Sequence, residues 1–192
     1  MPRWTHVVVH HSFTGDSTLP DSVAIKRFHT SYREGGNIIT AEEYNEKKAA
    51  GVRGLVPPWK DIGYHWLIET LSDGRPWLIQ GRSMMMHGAH CVEEGMNRRG
   101  IGLCVIGNYD AAPPPELLFE KAADTVAWLC RMYRIPLENI YGHRDFATYK
   151  SCPGTKFDMV YFKERVADYL SVWTPNKARI MGITSVQLSQ PR

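Results

Sequence analysis

The chain has 192 residues, 43% hydrophobic and 22% charged, a composition that fits a packed globular protein and excludes a disordered or fibrous one. Its net charge of +3 is spread thinly, with nothing longer than pairs such as Lys47-Lys48 and Arg98-Arg99, which argues against nucleic-acid binding. The opening MPRWTHVVVHHSF reads as neither signal peptide nor stable membrane insertion, and four cysteines without a Cys-x-x-Cys pair point to reduced thiols.

Trp4 to His10 reads as a strand that is apolar on both faces, the mark of a covered central strand. Asp21 is placed to cap a helix over SVAIKRFHTSYRE, with Ala24, Phe28 and Tyr32 on its inner face and Gly35-Gly36 as its stop. Thr40 and Glu43 form a capping box for a second helix that ends at Gly51, and the Gly- and Pro-rich GVRGLVPPWKD that follows reads as loop.

IGYHWLIE and RPWLIQ, joined across Leu-Ser-Asp-Gly, predict a β-hairpin. A Met- and His-rich loop from Ser83 to Gly100 leads into a further apolar strand, IGLCVIGNY. Pro113-Pro114-Pro115 opens a long helix whose inner stripe is Leu118, Ala122, Val126, Leu129 and Tyr133. The short strand ENIYGH and the helix FDMVYFKERVADYL, with Phe162, Val166 and Tyr169 at helical spacing, complete the core. This order predicts an α/β fold, a single domain over residues 1–170 with a mixed β-sheet flanked by helices, and a tail over 171–192 without strong pattern.

There is no Gly-x-Gly-x-x-Gly, P-loop, Gly-x-Ser-x-Gly elbow or His-Glu-x-x-His helix, so nucleotide, serine-hydrolase and thermolysin-like chemistries lose their main support. Histidines at strand ends remain. Period-two alternation sends His10 and His11 to opposite faces, so only one of them can share a site above a given face. His143 follows another short strand, and Cys152 lies nine positions further, inside GHRDFATYKSCPG. Two imidazoles and a thiolate from separate segments make a three-ligand zinc site with its fourth position open; a Cys-His nucleophile pair is the competing reading.

Taken in order, VVVHHSFTG, IGYHWLIE, HGAHCVEEGMNRRGIGLCVIGNYD and GHRDFATYKSCPG resemble the zinc-dependent N-acetylmuramoyl-L-alanine amidases of the phage T7 lysozyme and peptidoglycan-recognition-protein type, over roughly residues 4 to 170. The resemblance implies zinc ligands His10, His143 and Cys152, a catalytic tyrosine at Tyr64 and a catalytic lysine at Lys150. The loop from His143 to Cys152 is one residue longer than in the most similar branches, which leaves Thr148 and Tyr149 as rivals to Lys150 for the inward position. His90 and Asn97 fall on the substrate side, His90 as a contact or a loop support and Asn97 as a brace before IGLCVIGNY.

His11 and His65 read as structural, Arg144 and Asp145 as a charge-assisted pair that fixes the ligand loop, and Met84-Met85-Met86 as packing. His87, His90 and Cys91 form an alternative metal set. The span from Gly35 to Lys60 exceeds what the core needs, and its Trp59 has no core slot, so this segment is expected to line the cleft.

The function so implied is hydrolysis of the amide between N-acetylmuramic acid and L-alanine of peptidoglycan by a monomeric phage or prophage lysis enzyme. It would accumulate in the host cytoplasm and act on the wall after membrane breach. The alternatives are a non-catalytic peptidoglycan-binding module, a cytoplasmic muropeptide-recycling amidase and a metal-free thiol hydrolase using Cys152 and His143.

Overall fold

The fold is built around β1 (His6–His11), whose Val7, Val8 and Val9 are all fully buried. A computed structural model describes residues 2–13 and 21–172. In it β1 lies between two parallel neighbours, β7 (Gly100–Val105) and β8 (Ile140–Gly142). β5 (Trp66–Thr70) pairs parallel with β7, and β6 (Pro76–Gln80) closes the far edge antiparallel to β5, giving the order β6-β5-β7-β1-β8. This is the mixed sheet and the hairpin that the sequence predicts. Alternation sends Val7 and Val9 toward one face and Val8 toward the other, where it packs on Cys91 and Met96.

The first face is covered by α4 (Glu116–Tyr133) and α5 (Met159–Val172). Leu118, Ala122, Val126 and Leu129 form the buried stripe of α4, and its alanines at 122, 123 and 127 let the helix sit close to the sheet. Trp128 meets Trp66 edge to face with ring centroids 5.2 Å apart. Phe162 and Val166 of α5 complete this core, and Tyr169 packs at its margin. Across the two helices Glu120 accepts from Arg165 Nε at 2.9 Å and from the Tyr169 hydroxyl at 2.7 Å. The other face carries α1 (Ser22–His29), whose Ile25 packs on Leu67 and Cys104.

The first helix is shorter than the sequence suggests. Asp21 does cap it, its carboxylate accepting from Ala24 N at 2.7 Å, but α1 ends at His29, and its buried residues are Ile25 and His29 rather than the Ala24–Phe28–Tyr32 face. Tyr32–Glu34 is instead β2, paired antiparallel with β3 (Asn37–Ile39) and with β4 (Leu55–Val56). Glu34 pairs with Asn37, so Gly35-Gly36 is a two-residue hairpin turn, with Gly35 at φ +57°. The same dipeptide that stops a helix turns a hairpin, and tertiary pairing decides between them.

α2 (Ala41–Ala49) bears the predicted capping box: Glu43 N donates to Thr40 Oγ1 at 3.1 Å and Thr40 N to the Glu43 carboxylate at 2.7 Å. Within the Ser83–Gly100 segment, a short 3-10 turn at Glu93–Gly95 leads into α3 (Met96–Arg99). Of the methionine triplet only Met84 packs on the core, whereas Met85 and Met86 are exposed. The patternless tail lies outside the described residues from 173 onward. Among the described residues no helix is long and apolar enough to cross a membrane.

Leu103 is fully buried in β7, within the core between the sheet and its covering helices. Leu103→Ala is expected to lower unfolding free energy by about 2–5 kcal/mol, read as a shifted urea midpoint with an unchanged slope.

Candidate active site

Strand register brings the two histidines together. Val9 of β1 pairs with Gly142 of β8 in a parallel ladder, so the next residue on each strand, His10 and His143, emerges side by side on one face. Their ring centroids are 4.6 Å apart. Gly142 is required at that point: a Cβ there would lie 2.7 Å from Pro153 Cδ, in the segment that delivers Cys152. Cys152 Sγ lies 3.6 Å from His10 Nδ1, and His10, His143 and Cys152 each offer a ligand atom within 4.8 Å of the others.

His10 is held in one tautomer from behind. His90 Nε2 donates to the Gly100 carbonyl at 3.1 Å, which leaves His90 Nδ1 to accept from His10 Nε2 at 3.1 Å and His10 Nδ1 bare toward Cys152. His90 is thus buried against His10 while lining the cleft. Asn97 Oδ1 accepts from both His90 N at 2.6 Å and Cys91 N at 2.8 Å, so Asn97 braces the segment that carries His90. Gly102 lies beneath; a Cβ on it would stand 2.5 Å from His90 Cδ2.

The ligand loop is gripped by Arg144, but through backbone carbonyls. Its guanidinium donates to the carbonyls of Ser151, Gly154 and Phe157, and its own N–H donates to the Cys152 carbonyl at 2.7 Å. Asp145 accepts from Gly142 N at 2.8 Å. The expected Arg144–Asp145 ion pair is therefore replaced by two separate grips on the main chain, each satisfying part-buried backbone groups. Ser151 is tied down further by Asp110, at 2.6 Å.

The site opens into a cleft of about 430 Å³ lined by Tyr64, Trp59 and Lys150 as well as the three candidate ligands. Lys150, not Thr148, reaches this cleft, and its charge helps depress protonation of both His10 and His143. Tyr149 also borders it, but its hydroxyl is directed to Glu93 Oε1 at 2.5 Å. Tyr64 sits with its ring 5.1 Å from His10 and its hydroxyl against Cys104. Trp59 is the one residue of the 35–60 span among those lining the described cleft; its ring stacks near His29 at 4.6 Å and is backed by Arg33 at 4.8 Å.

Burial, reinforced by the neighbouring imidazoles, drives His10 well below the usual histidine range, and burial also lowers His143. Both rings are therefore neutral, as metal ligands must be. Burial pushes the Cys152 thiol up to about 12 and raises Tyr64 well above the usual phenol value. Tyr64 is consequently a proton donor throughout the working range. Glu93 is held down to about 2, chiefly by the Tyr149 hydroxyl.

The donor set fits zinc. Two neutral imidazoles and a thiol converge without a fourth protein ligand, and the 3.6 Å sulfur-to-nitrogen separation matches the edge of about 3.6 Å expected from zinc bond lengths of about 2.3 and 2.05 Å in a tetrahedron. Among the described residues a second group, Cys91, Glu93 and His143, shares one histidine with the first. His87 is exposed and in neither group, so the alternative His87–His90–Cys91 set is not assembled. His65 and His11 are structural: His65 Nδ1 accepts from Gly102 N at 3.0 Å and His11 Nδ1 from Tyr109 N at 3.2 Å.

The sequence profile of the N-acetylmuramoyl-L-alanine amidases matches residues 1–155. The chain belongs to this family. Human N-acetylmuramoyl-L-alanine amidase is 36% identical over 109 residues, which is 53% of this chain but 17% of the human protein. An endolysin of Klebsiella phage KP32 is 36% identical over 64 residues, 33% of this chain and 38% of the endolysin. The chain thus spans well under two thirds of these relatives. The solved endolysin amidase LysCS from Clostridium intestinale superposes with a TM-score of 0.60 at 22% identity, covering 86% of this chain and 84% of that one, which places both in the same amidase fold.

Sequence reasoning did not find the contact of Glu93 with Tyr149 of the ligand loop, or the support of His10 by His90. Gly102→Ala in this amidase-family chain is expected to displace His90, costing about 1–3 kcal/mol in denaturant titrations and loosening divalent-metal binding in competition assays. If both measurements match wild type, His90 does not support His10.

Proposed function

We propose that the protein is a zinc-dependent amidase that hydrolyses the amide between N-acetylmuramic acid and L-alanine of peptidoglycan. In this reading it is a phage or prophage lysis enzyme that builds up in the host cytoplasm and reaches the wall once the membrane is breached. The observation that carries the reading is the convergence of His10, His143 and Cys152 beneath an open cleft that Tyr64 and Lys150 also line. Family membership and the names of the human and phage relatives support the substrate class.

A zinc ion held by His10, His143 and Cys152 would supply Lewis acidity, lowering the pKa of water toward about 7 and polarising a carbonyl oxygen. The remaining work falls to the chain. Tyr64, kept protonated by burial, donates to the carbonyl oxygen as that atom gains negative charge. The Lys150 ammonium adds a positive charge on the same side of the cleft. Either group is suited to pass a proton to the departing amine as the C–N bond breaks, a contribution on the order of 10²–10³ in rate. Trp59 offers an apolar wall to the substrate.

The intact ligand trio weakens the reading as a binding module without catalysis. A thiol pushed up to about 12 by burial is a poor nucleophile by itself, which weakens the metal-free thiol-hydrolase reading. Metal analysis and mass spectrometry of digested sacculi test the proposal together. One zinc per chain is expected, with products that expose the L-alanine amine. Cys152→Ala is expected to lose both zinc and lysis, whereas Tyr64→Phe keeps zinc and slows lysis by about 10²–10³-fold. Lysis that survives Cys152→Ala or exhaustive chelation would sink the zinc reading; activity on soluble muropeptides but not on sacculi would favour the recycling role.

A further inference from the structure

His10 and His143 differ in what stands at Nε2 of each ring. For His10 it is His90, itself fixed to the Gly100 carbonyl. For His143, Nε2 is buried and has no hydrogen-bond partner, while Glu93 Oε2 stands 3.6 Å from it. A ligating imidazole carries a proton on its second nitrogen, and a carboxylate that accepts it both fixes the ring plane and strengthens the ligand.

Glu93 is itself held by two side chains. Its Oε1 accepts from the Tyr149 hydroxyl at 2.5 Å, and its Oε2 accepts from the Cys91 thiol at 3.4 Å. The backbone turns immediately after it, with Glu94 at φ +49° and Gly95 at φ +71°. A non-glycine residue in the left-handed region is uncommon, and this turn presents Glu93 to the site while Glu94 faces solvent beside Arg99. Tyr149 is 76% exposed, so apolar burial does not account for its position, and its hydroxyl is spent on Glu93.

We propose that Glu93 is a positioning residue for the metal ligand His143 and that Tyr149 clamps it, so that two loops distant in sequence jointly set how tightly the metal is held. The inference rests on the reading of His10, His143 and Cys152 as a zinc site. Tyr149, Glu93 and His143 form one chain of polar contacts. Cys91 belongs to it as a thiol donor to Glu93 Oε2.

The test is zinc affinity, measured by competition with a chromophoric chelator on the full chain, with thermal melting of the metal-free proteins as the folding control. Glu93→Gln keeps the shape of the side chain and is expected to weaken zinc binding about 10–100-fold, with the metal-free melt unchanged. Tyr149→Phe is expected to weaken it several-fold, and Glu94→Gln, at the exposed neighbour, to leave it at the wild-type value. Wild-type affinity in Glu93→Gln would overturn the proposal. So would two zinc ions per wild-type chain, falling to one in Cys91→Ser, because Glu93 would then be a ligand in its own right. A wild-type protein that takes up no zinc would overturn the zinc reading and this inference with it.

Discussion

The parallel pairing of β1 with β8 is the constraint on which the site depends. Val9 opposite Gly142 puts His10 and His143 at the same height and on the same face. A slip of one residue would turn one of them into the α4 and α5 core. The apolar run Val7–Val9, buried on both faces, is what locks this register. The most hydrophobic stretch of the chain therefore fixes its most polar cluster. Cys152 arrives by a different route, at the end of a loop whose course is set by Arg144 through backbone groups and by Asp110 through the Ser151 hydroxyl and Thr155 N.

Around this cluster the charges are arranged by depth. The candidate ligands at the bottom are held neutral by burial, and the ionised groups stand at the rim, Lys150 on one loop and Glu93 on another. Two opposite charges near the mouth suit chemistry in which negative charge appears on a carbonyl oxygen while a ligand ring is kept in place by an anion. Burial costs the protein little here because the buried members are uncharged.

Much of this was legible in the sequence, for identifiable reasons. Strands apolar on both faces, the Thr40–Glu43 capping box and the Leu118-to-Leu129 stripe are local patterns with one structural solution each. His10, His143 and Cys152 stood out because strand ends and a tight Pro-Gly exit bracket them. Gly35-Gly36 read as a helix stop, and only the pairing of β2 with β3 and β4 makes its flank a strand. The partners of Arg144 were illegible because main-chain carbonyls leave no mark on composition. Glu93 was illegible because its direction is decided by a left-handed turn at Glu94, a conformation that glutamate rarely announces.

The hydrogen-bond line from His10 through His90 to the Gly100 carbonyl ends in β7, and Gly102 of the same strand is a hydrogen bond away from His65. The orientation of His10 is thus referred, through His90, to the sheet. Segments outside the central sheet, such as the one that makes the small β3-β2-β4 sheet, can then be remodelled without passing their motion to this histidine. Such insulation lets the shape of the substrate cleft vary independently of the chemistry beneath it, so that specificity and reactivity are free to change separately.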